Sequence, residues 1–131
     1  MIIVNENLKK LFDILLSNNP SILIRENEDY IFNIIPELRK SKGFNQNNPW
    51  HIYDVYNHIL HVIDGVKGNI ILRLVALFHD IGKPYTYMED ENNIGHFYDH
   101  WTKSSEIFLN FSKKYELPVD LTNEVNKLIY Y

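Results

Sequence analysis

Residues 70–78 read Ile-Ile-Leu-Arg-Leu-Val-Ala-Leu-Phe, and His79 and Asp80 follow at once. A run this apolar, interrupted only by Arg73, is core material at helical length. It nevertheless delivers an imidazole and a carboxylate, side by side, to the point where the buried helix must stop. Asn69 is read as the N-cap of that helix and Gly82 as its C′ stop. Buried polar groups cost free energy unless they are paired. A metal ion that takes the imidazole nitrogen and the carboxylate oxygen together removes the conflict and compensates the charge. Lys83 lies one turn beyond Asp80, suited to pairing with a phosphate oxygen or to holding Asp80.

The pattern elsewhere is helical too. Leu8, Leu11, Phe12, Leu15 and Leu16 recur at helical spacing, and Ser17-Asn18-Asn19 ends them before Pro20. A short helix is predicted from near Ser21. A third spans roughly Asp29 to Lys40, kinked or split at Pro36. Residues 41–50, with Gly43, a run of amides and Pro49, read as a loop. The next helix is expected from about Ile52 to Gly65, with Ile52, Val55, Tyr56, Ile59, Val62 and Ile63 on its apolar face. Residues 84–97 can form a short irregular hairpin, because Tyr85-Thr86-Tyr87 and Ile94 to Phe97 flank the turn chemistry of Asp90-Glu91-Asn92-Asn93. Helices from about Tyr98 to Lys114 and from about Pro118 to the end complete the chain. Pro118 suits a first helical turn, and Val125, Leu128 and Ile129 mark the buried side of that last helix. The fold class is therefore all-α.

The 131 residues are 45% hydrophobic and 14% aromatic, enough for one domain around one core. The chain has no cysteine, which excludes disulfides, zinc-thiolate sites and cysteine nucleophiles. No apolar stretch has transmembrane length and no secretory leader is evident, so a cytoplasmic protein with no membrane partner is expected. A net charge of −4 argues against a non-specific nucleic-acid binder. It leaves room for a local basic strip of Lys9, Lys10, Arg39, Lys40 and Lys42. The oligomeric state is left open.

All six histidines, His51, His58, His61, His79, His96 and His100, lie in one stretch of the sequence. His51, Asp54, His58 and His61 are spaced to share one helical face beside the apolar one, where they can line a cavity. His96 and His100, four apart, point the same way if both are helical, and can still converge on one ion if a turn separates them. Imidazole with carboxylate suits a divalent ion among Mn, Ni, Co, Fe, Mg and Zn, and the chemistry would be metal-assisted hydrolysis. Taken singly these residues have plainer readings. His51 and His61 read as structural histidines or as neighbours that support ligands. Asp54 reads as a helix-surface charge, and Asp90-Glu91 as a solvated turn. The joint pattern points to the metal.

His58, then His79-Asp80-Ile81-Gly82-Lys83-Pro84, then His96 and His100, resemble the HD superfamily of metal-dependent phosphohydrolases. The match is closer to the HD region of CCA-adding tRNA nucleotidyltransferases. The stretch from Gly43 to Val55 is similar to the entry of that domain, as are Leu8 to Pro20, Ile34-Ile35-Pro36-Glu37-Leu38 and Tyr115-Glu116-Leu117-Pro118. The resemblance covers nearly the whole chain and implies a single HD-domain helical bundle. Residues 1–42 would be an N-terminal helical lead-in and residues 43–131 the HD core. It implies His58, His79, Asp80, His96 and His100 as metal ligands. His79 and Asp80, with Lys83, would be catalytic, and Lys83, His96 and His100 would contact the substrate phosphate. The family pattern closes with an aspartate on a late helix. Here that helix carries Glu124, with Asp120 near its start, and the expected position falls at or beyond Tyr131. Either the core is truncated there or the site is one ligand short.

The activity implied is metal-dependent hydrolysis of a nucleotide or an RNA-terminal phosphate ester, such as a 2′,3′-cyclic phosphate, with RNA or tRNA as a further partner. No Gly-Ser dipeptide precedes a paired-aspartate motif, so nucleotidyl transfer by this chain alone is not expected. The alternative is a non-catalytic HD module derived from a tRNA nucleotidyltransferase that binds RNA or a partner protein. A metal or nucleotide sensor without turnover is a third reading.

Overall fold

The computed structural model describes residues 5–47 and 53–130, and the expectations for His51 and Ile52 lie outside the described residues. The described residues form helices α1 (Glu6–Leu16), α2 (Pro20–Glu26), α3 (Glu28–Ile34), α4 (Pro36–Ser41), α5 (Val55–Gly65), α6 (Ile70–Phe78), α7 (His100–Lys114) and α8 (Val119–Ile129). A 3-10 turn at Lys83–Tyr85 and strands β1 (Tyr87–Glu89) and β2 (Gly95–Phe97) lie between α6 and α7. The all-α expectation holds, with the small hairpin as the one β element among the described residues.

Helix α6 is the pillar of the bundle, and α1, α5, α7 and α8 all pack against it. Its sequence explains why. Leu74, Leu77 and Phe78 are fully buried, and Phe78 meets the rings of Phe108 and Phe111 at 5.1 and 5.0 Å between centroids. Asn69 caps it as predicted, accepting the Leu72 N–H at 2.9 Å. Arg73, which looked like an interruption of the apolar run, is itself buried. Its guanidinium donates to the Leu15 carbonyl at 2.7 Å and to the carbonyls of Ser17, Val66 and Lys67. One side chain thus satisfies carbonyls at the ends of α1 and α5, which have no partner within their own helices.

Several boundaries differ from the sequence expectation for local reasons. Pro36 splits the third predicted helix into α3 and α4, because Ile35 before it sits at φ −130°, ψ 76°, outside the helical region. In α1 the buried set is Leu8, Leu11, Phe12, Ile14 and Leu15, while Leu16 turns outward. Helix α5 starts at Val55 because Asp54 caps it, accepting the Asn57 N–H at 2.6 Å. The same carboxylate accepts the Gly43 N–H at 2.8 Å, so Asp54 ties the preceding loop to the helix and is not a free surface charge. Pro118 sits at the N-cap of α8 with an extended ψ of 139°, one position ahead of the helix. Leu121, Val125 and Ile129 form the buried face of α8, and Leu128 is half-buried.

The hairpin forms within the predicted stretch but is shorter, since Tyr85 and Thr86 belong to the 3-10 turn and its cap. It pairs Tyr87 with Phe97, Met88 with His96 and Glu89 with Gly95. Asp90 builds its turn by accepting the Asn92 and Ile94 N–H groups.

Candidate metal centre

The end of α6 is wound tightly. His79 still bonds back to the Val75 carbonyl, and then Ile81 N–H reaches Phe78 and Lys83 N–H reaches Asp80, three residues back in each case. This succession of tight turns points Asp80 into the protein, where it is 2% exposed. Gly82 closes the turn against α7. Its φ of −76° is ordinary, so it is not the left-handed stop that its position suggested. Glycine is needed there for space. A Cβ would lie 2.5 Å from the His100 carbonyl oxygen and 2.7 Å from the Ser104 nitrogen. The Gly82 N–H instead donates to the buried Ser104 Oγ at 2.8 Å.

Around Asp80 the structure gathers groups from three segments. His58, on α5, places Nε2 2.7 Å from Asp80 Oδ2, and His79 places Nδ1 3.4 Å from the same oxygen. His100, the first residue of α7, places Nε2 3.0 Å from Oδ1. Lys83 completes the ring with Nζ 3.8 Å from Oδ2. Burial pushes the Asp80 carboxyl up, but hydrogen bonds from His100 and His58 and the charges of His79 and Lys83 outweigh it and hold the group well below the usual carboxylate range. Burial pushes the His79 imidazole and the Lys83 ammonium down, with Asp80 opposing in both cases. Asp80 is thus ionised and His79 inclines to neutrality, the states in which both can act as ligands.

The donor set fits a divalent ion. His79, Asp80 and His100 each offer a ligand atom within 4.8 Å of the others, and His58 shares the carboxylate. Donors about 2.1 Å from one ion lie about 3 Å from each other at right angles. The three imidazole-to-carboxylate distances, 2.7, 3.0 and 3.4 Å, bracket that spacing. His100 gives a second argument. Its Nδ1 lies 3.1 Å from the Phe97 carbonyl, which can only accept, so that nitrogen carries the proton. Nε2 is then either protonated as well, donating the hydrogen bond to Asp80 Oδ1, or a bare lone pair facing that oxygen. Two acceptors that face each other need a proton or a cation between them, and a histidine oriented by its other nitrogen is how metal ligands are held.

Not every predicted residue joins the cluster. His96 lies on β2 with Nε2 2.8 Å from Asp90 Oδ2, and its ring stacks on Tyr98 at 5.3 Å. The hydrogen bond from His96 holds the Asp90 carboxyl below its ordinary range. The Asp90-Glu91 turn is therefore more specifically built than a solvated turn. His61 is exposed and stacks on Tyr53 at 5.2 Å. The basic strip is dispersed. Lys42 pairs with Glu28 at 2.7 Å, while Lys10, Arg39 and Lys40 lie over the rings of Tyr30, Phe32 and Tyr85.

Two residues that sequence reasoning missed support the centre. Gln46, 1% exposed, accepts from Lys83 Nζ at 2.9 Å and donates to the Tyr53 carbonyl at 2.9 Å. Ser104, fully buried, anchors Gly82. Gln46 lies in an amide-rich loop, where nothing in the sequence separates it from its neighbours. Ser104 had one signal, a small polar residue one turn beyond His100 on an otherwise apolar helix face.

Among the described residues no helix is long and apolar enough to cross a membrane. No solved structure matches the chain. An A-adding tRNA nucleotidyltransferase of Deinococcus radiodurans is 28% identical over 90 residues, covering 64% of this chain and 20% of that protein. The chain thus spans about a fifth of the length of the curated relative it matches. The family model described as HD domain matches residues 51–131, more than half of the sequence, and the chain belongs to the HD domain family.

Proposed function

We propose that this chain is a metal-dependent phosphohydrolase acting on nucleotide or RNA-terminal phosphate esters. Membership in the HD family carries the coarser part, since that superfamily comprises metal-dependent phosphohydrolases. The place of the chemistry rests on one observation, the buried Asp80 carboxylate ringed by His58, His79, His100 and Lys83, and the nucleotide or RNA ester is suggested by the similarity to a tRNA nucleotidyltransferase. A divalent ion held by His58, His79, Asp80 and His100 would supply the Lewis acidity that activates water and screens charge on a phosphoryl group. Asp80 contributes a fixed negative charge. His100 is oriented by the Phe97 carbonyl. Lys83, held by Gln46, presents an ammonium to which a phosphoryl oxygen can bind. We take residues 1–131 as one domain in this reading, supported by the packing of α1 on α6 and the bond from Arg73 to Leu15.

The test is hydrolysis of 2′,3′-cyclic AMP and of an aryl phosphodiester with Mn, Ni, Co and Mg supplied in turn, beside the Asp80→Ala protein. Metal-dependent turnover that vanishes in the variant, with its helical circular dichroism preserved, is the expected result. Turnover that survives the substitution would remove Asp80 from the chemistry. The similarity to a tRNA nucleotidyltransferase favours a second reading, a non-catalytic module that binds RNA. That reading predicts tRNA binding that weakens steeply with salt, and no turnover with any ion.

A further inference from the structure

The turn that carries His100 into the centre also turns two large aromatic rings outward. Tyr98 is 61% exposed and Trp101 is 43% exposed, on either side of Asp99 and the half-buried His100. The backbone causes this alternation. Asp99 adopts a left-handed conformation, φ 61°, and its side chain accepts from the Thr102 hydroxyl at 2.8 Å, which fixes the reversal from β2 into α7. Each outward ring is braced by an imidazole. Tyr98 lies nearly parallel to His96, at 16° and 5.3 Å, and Trp101 meets His100 at 69° and 5.4 Å. Tryptophan and tyrosine usually bury most of their ring area. Here both are held rigid and left open, and Trp101 is only one ring away from the nitrogen that faces Asp80.

We propose that Trp101 and Tyr98 form a stacking platform for the unpaired base of the substrate, so that the ester hydrolysed at Asp80 belongs to a nucleotide or to a single-stranded RNA end. This rests on the phosphohydrolase reading for the position of the ester. Flat, rigid aromatic side chains bind bases of any sequence through their faces. A base within a duplex has both faces covered by its neighbours and cannot use such a platform. The platform therefore selects for the presence of a base and does not distinguish which base. Trp101 is a binding residue in this proposal, and the reacting groups remain those around Asp80.

The test has two arms. In a Trp50→Phe background Trp101 is the remaining tryptophan, and its fluorescence is titrated with AMP and with ribose 5-phosphate in the presence of Mg2+ and, separately, Zn2+. AMP is expected to quench the emission saturably, and ribose 5-phosphate is not. Equal responses to both, or none to AMP, overturn the platform. The second arm compares kcat/KM for 2′,3′-cyclic AMP with that for the base-free ribose 2′,3′-cyclic phosphate. Trp101→Ala should lower the preference for the nucleotide by about tenfold through KM, and Trp101→Phe should restore most of it. A preference that Trp101→Ala leaves unchanged overturns the proposal. The arms also separate the two readings. Quenching by AMP without turnover keeps the base platform and sinks the hydrolase, whereas turnover with no preference for a base does the reverse.

Discussion

Gly82→Ala tests whether the site depends on how closely the His79–Lys83 turn approaches α7. The added Cβ would lie 2.5 Å from the His100 carbonyl oxygen, 2.7 Å from the Ser104 nitrogen and 2.8 Å from Ser104 Oγ. Two of those atoms are backbone, so a rotamer change cannot relieve the overlap. The turn and the start of α7 must part by roughly 1 Å to restore ordinary contact. That movement breaks the buried bond from Gly82 N–H to Ser104 and draws His100 away from Asp80 Oδ1. Overpacking of this kind costs about 3 kcal/mol, and the orphaned N–H adds about 1 kcal/mol. With a urea m-value of about 2 kcal/mol/M for a chain of this size, the unfolding midpoint should fall by about 2 M. Metal affinity should fall about 10- to 100-fold, as it does when the orientation of a ligand is disturbed. Ser104→Ala removes only the hydrogen bond and should cost about 1 kcal/mol. The assay is urea unfolding by circular dichroism, paired with Mn2+ titration of the folded protein. A Gly82→Ala protein with the wild-type midpoint and the wild-type affinity would refute the close-approach argument.

Other parts of the structure give sharper contrasts. Arg73→Met should keep the volume of the side chain but strand the carbonyls at the ends of α1 and α5, costing about 3 kcal/mol and lowering Tm by roughly 10 °C; a Tm within 2–3 °C of the wild type, on the order of 1 kcal/mol or less, would show that water replaces the guanidinium there. The hydrogen bond from Lys42 holds the Glu28 carboxyl below its ordinary value near 4.5, against a smaller push from burial. A lowered folded-state pKa means that this contribution is fully present above 4.5 and is lost as pH falls through the lower folded value. Glu28→Gln should therefore reduce the urea midpoint at pH 7, with the gap to the wild type closing towards pH 3; a gap independent of pH would count against the ion pair. Saturating Ni2+ at a hundred times its dissociation constant should raise stability by about 2.7 kcal/mol. His100→Ala should abolish most of that gain and His96→Ala should leave it in place, because His96 is paired with Asp90 on the hairpin. Equal losses in the two variants would bring His96 into the centre.

Legibility in the sequence followed the range of the interactions. The start and run of helix α6 were readable, since its apolar residues, its Asn69 cap and the His79-Asp80 doublet are all local. His58 and His100 were readable because their types and spacing matched a known pattern, although nothing local says that they meet at Asp80. Arg73 was seen as a flaw in an apolar stretch, and its purpose appears only when the ends of α1 and α5 arrive beside it. Gly82 was noticed for the wrong reason. A glycine that ends a helix suggests a left-handed residue, and only the fold shows that α7 needs the space a Cβ would take. His96 marks the limit of spacing as a guide. A spacing of four from His100 left open a shared helical face or a turn between the two; Asp99 in its left-handed conformation provides the turn, and His96 lies on a strand with its Nε2 2.8 Å from Asp90.

If the proposed phosphohydrolase reading holds, the charges at the centre bear on how an acidic chain would recruit a phosphate ester. The Asp80 carboxylate and the Lys83 ammonium lie 3.8 Å apart and offset one another, so that pair alone holds no surplus with which to attract an anion. The remainder of the chain is negative by four charges and would repel one. Adding a divalent ion changes the sign of the site by two full charges, enough to balance a phosphate monoester dianion. On the proposed reading, electrostatic attraction for the phosphate would therefore come chiefly from the metal, while the proposed stacking on Trp101 and Tyr98 would not depend on it. The two parts of such a substrate would then be held by different physics. Raising the salt concentration weakens the grip on the phosphate and leaves the grip on the base nearly intact.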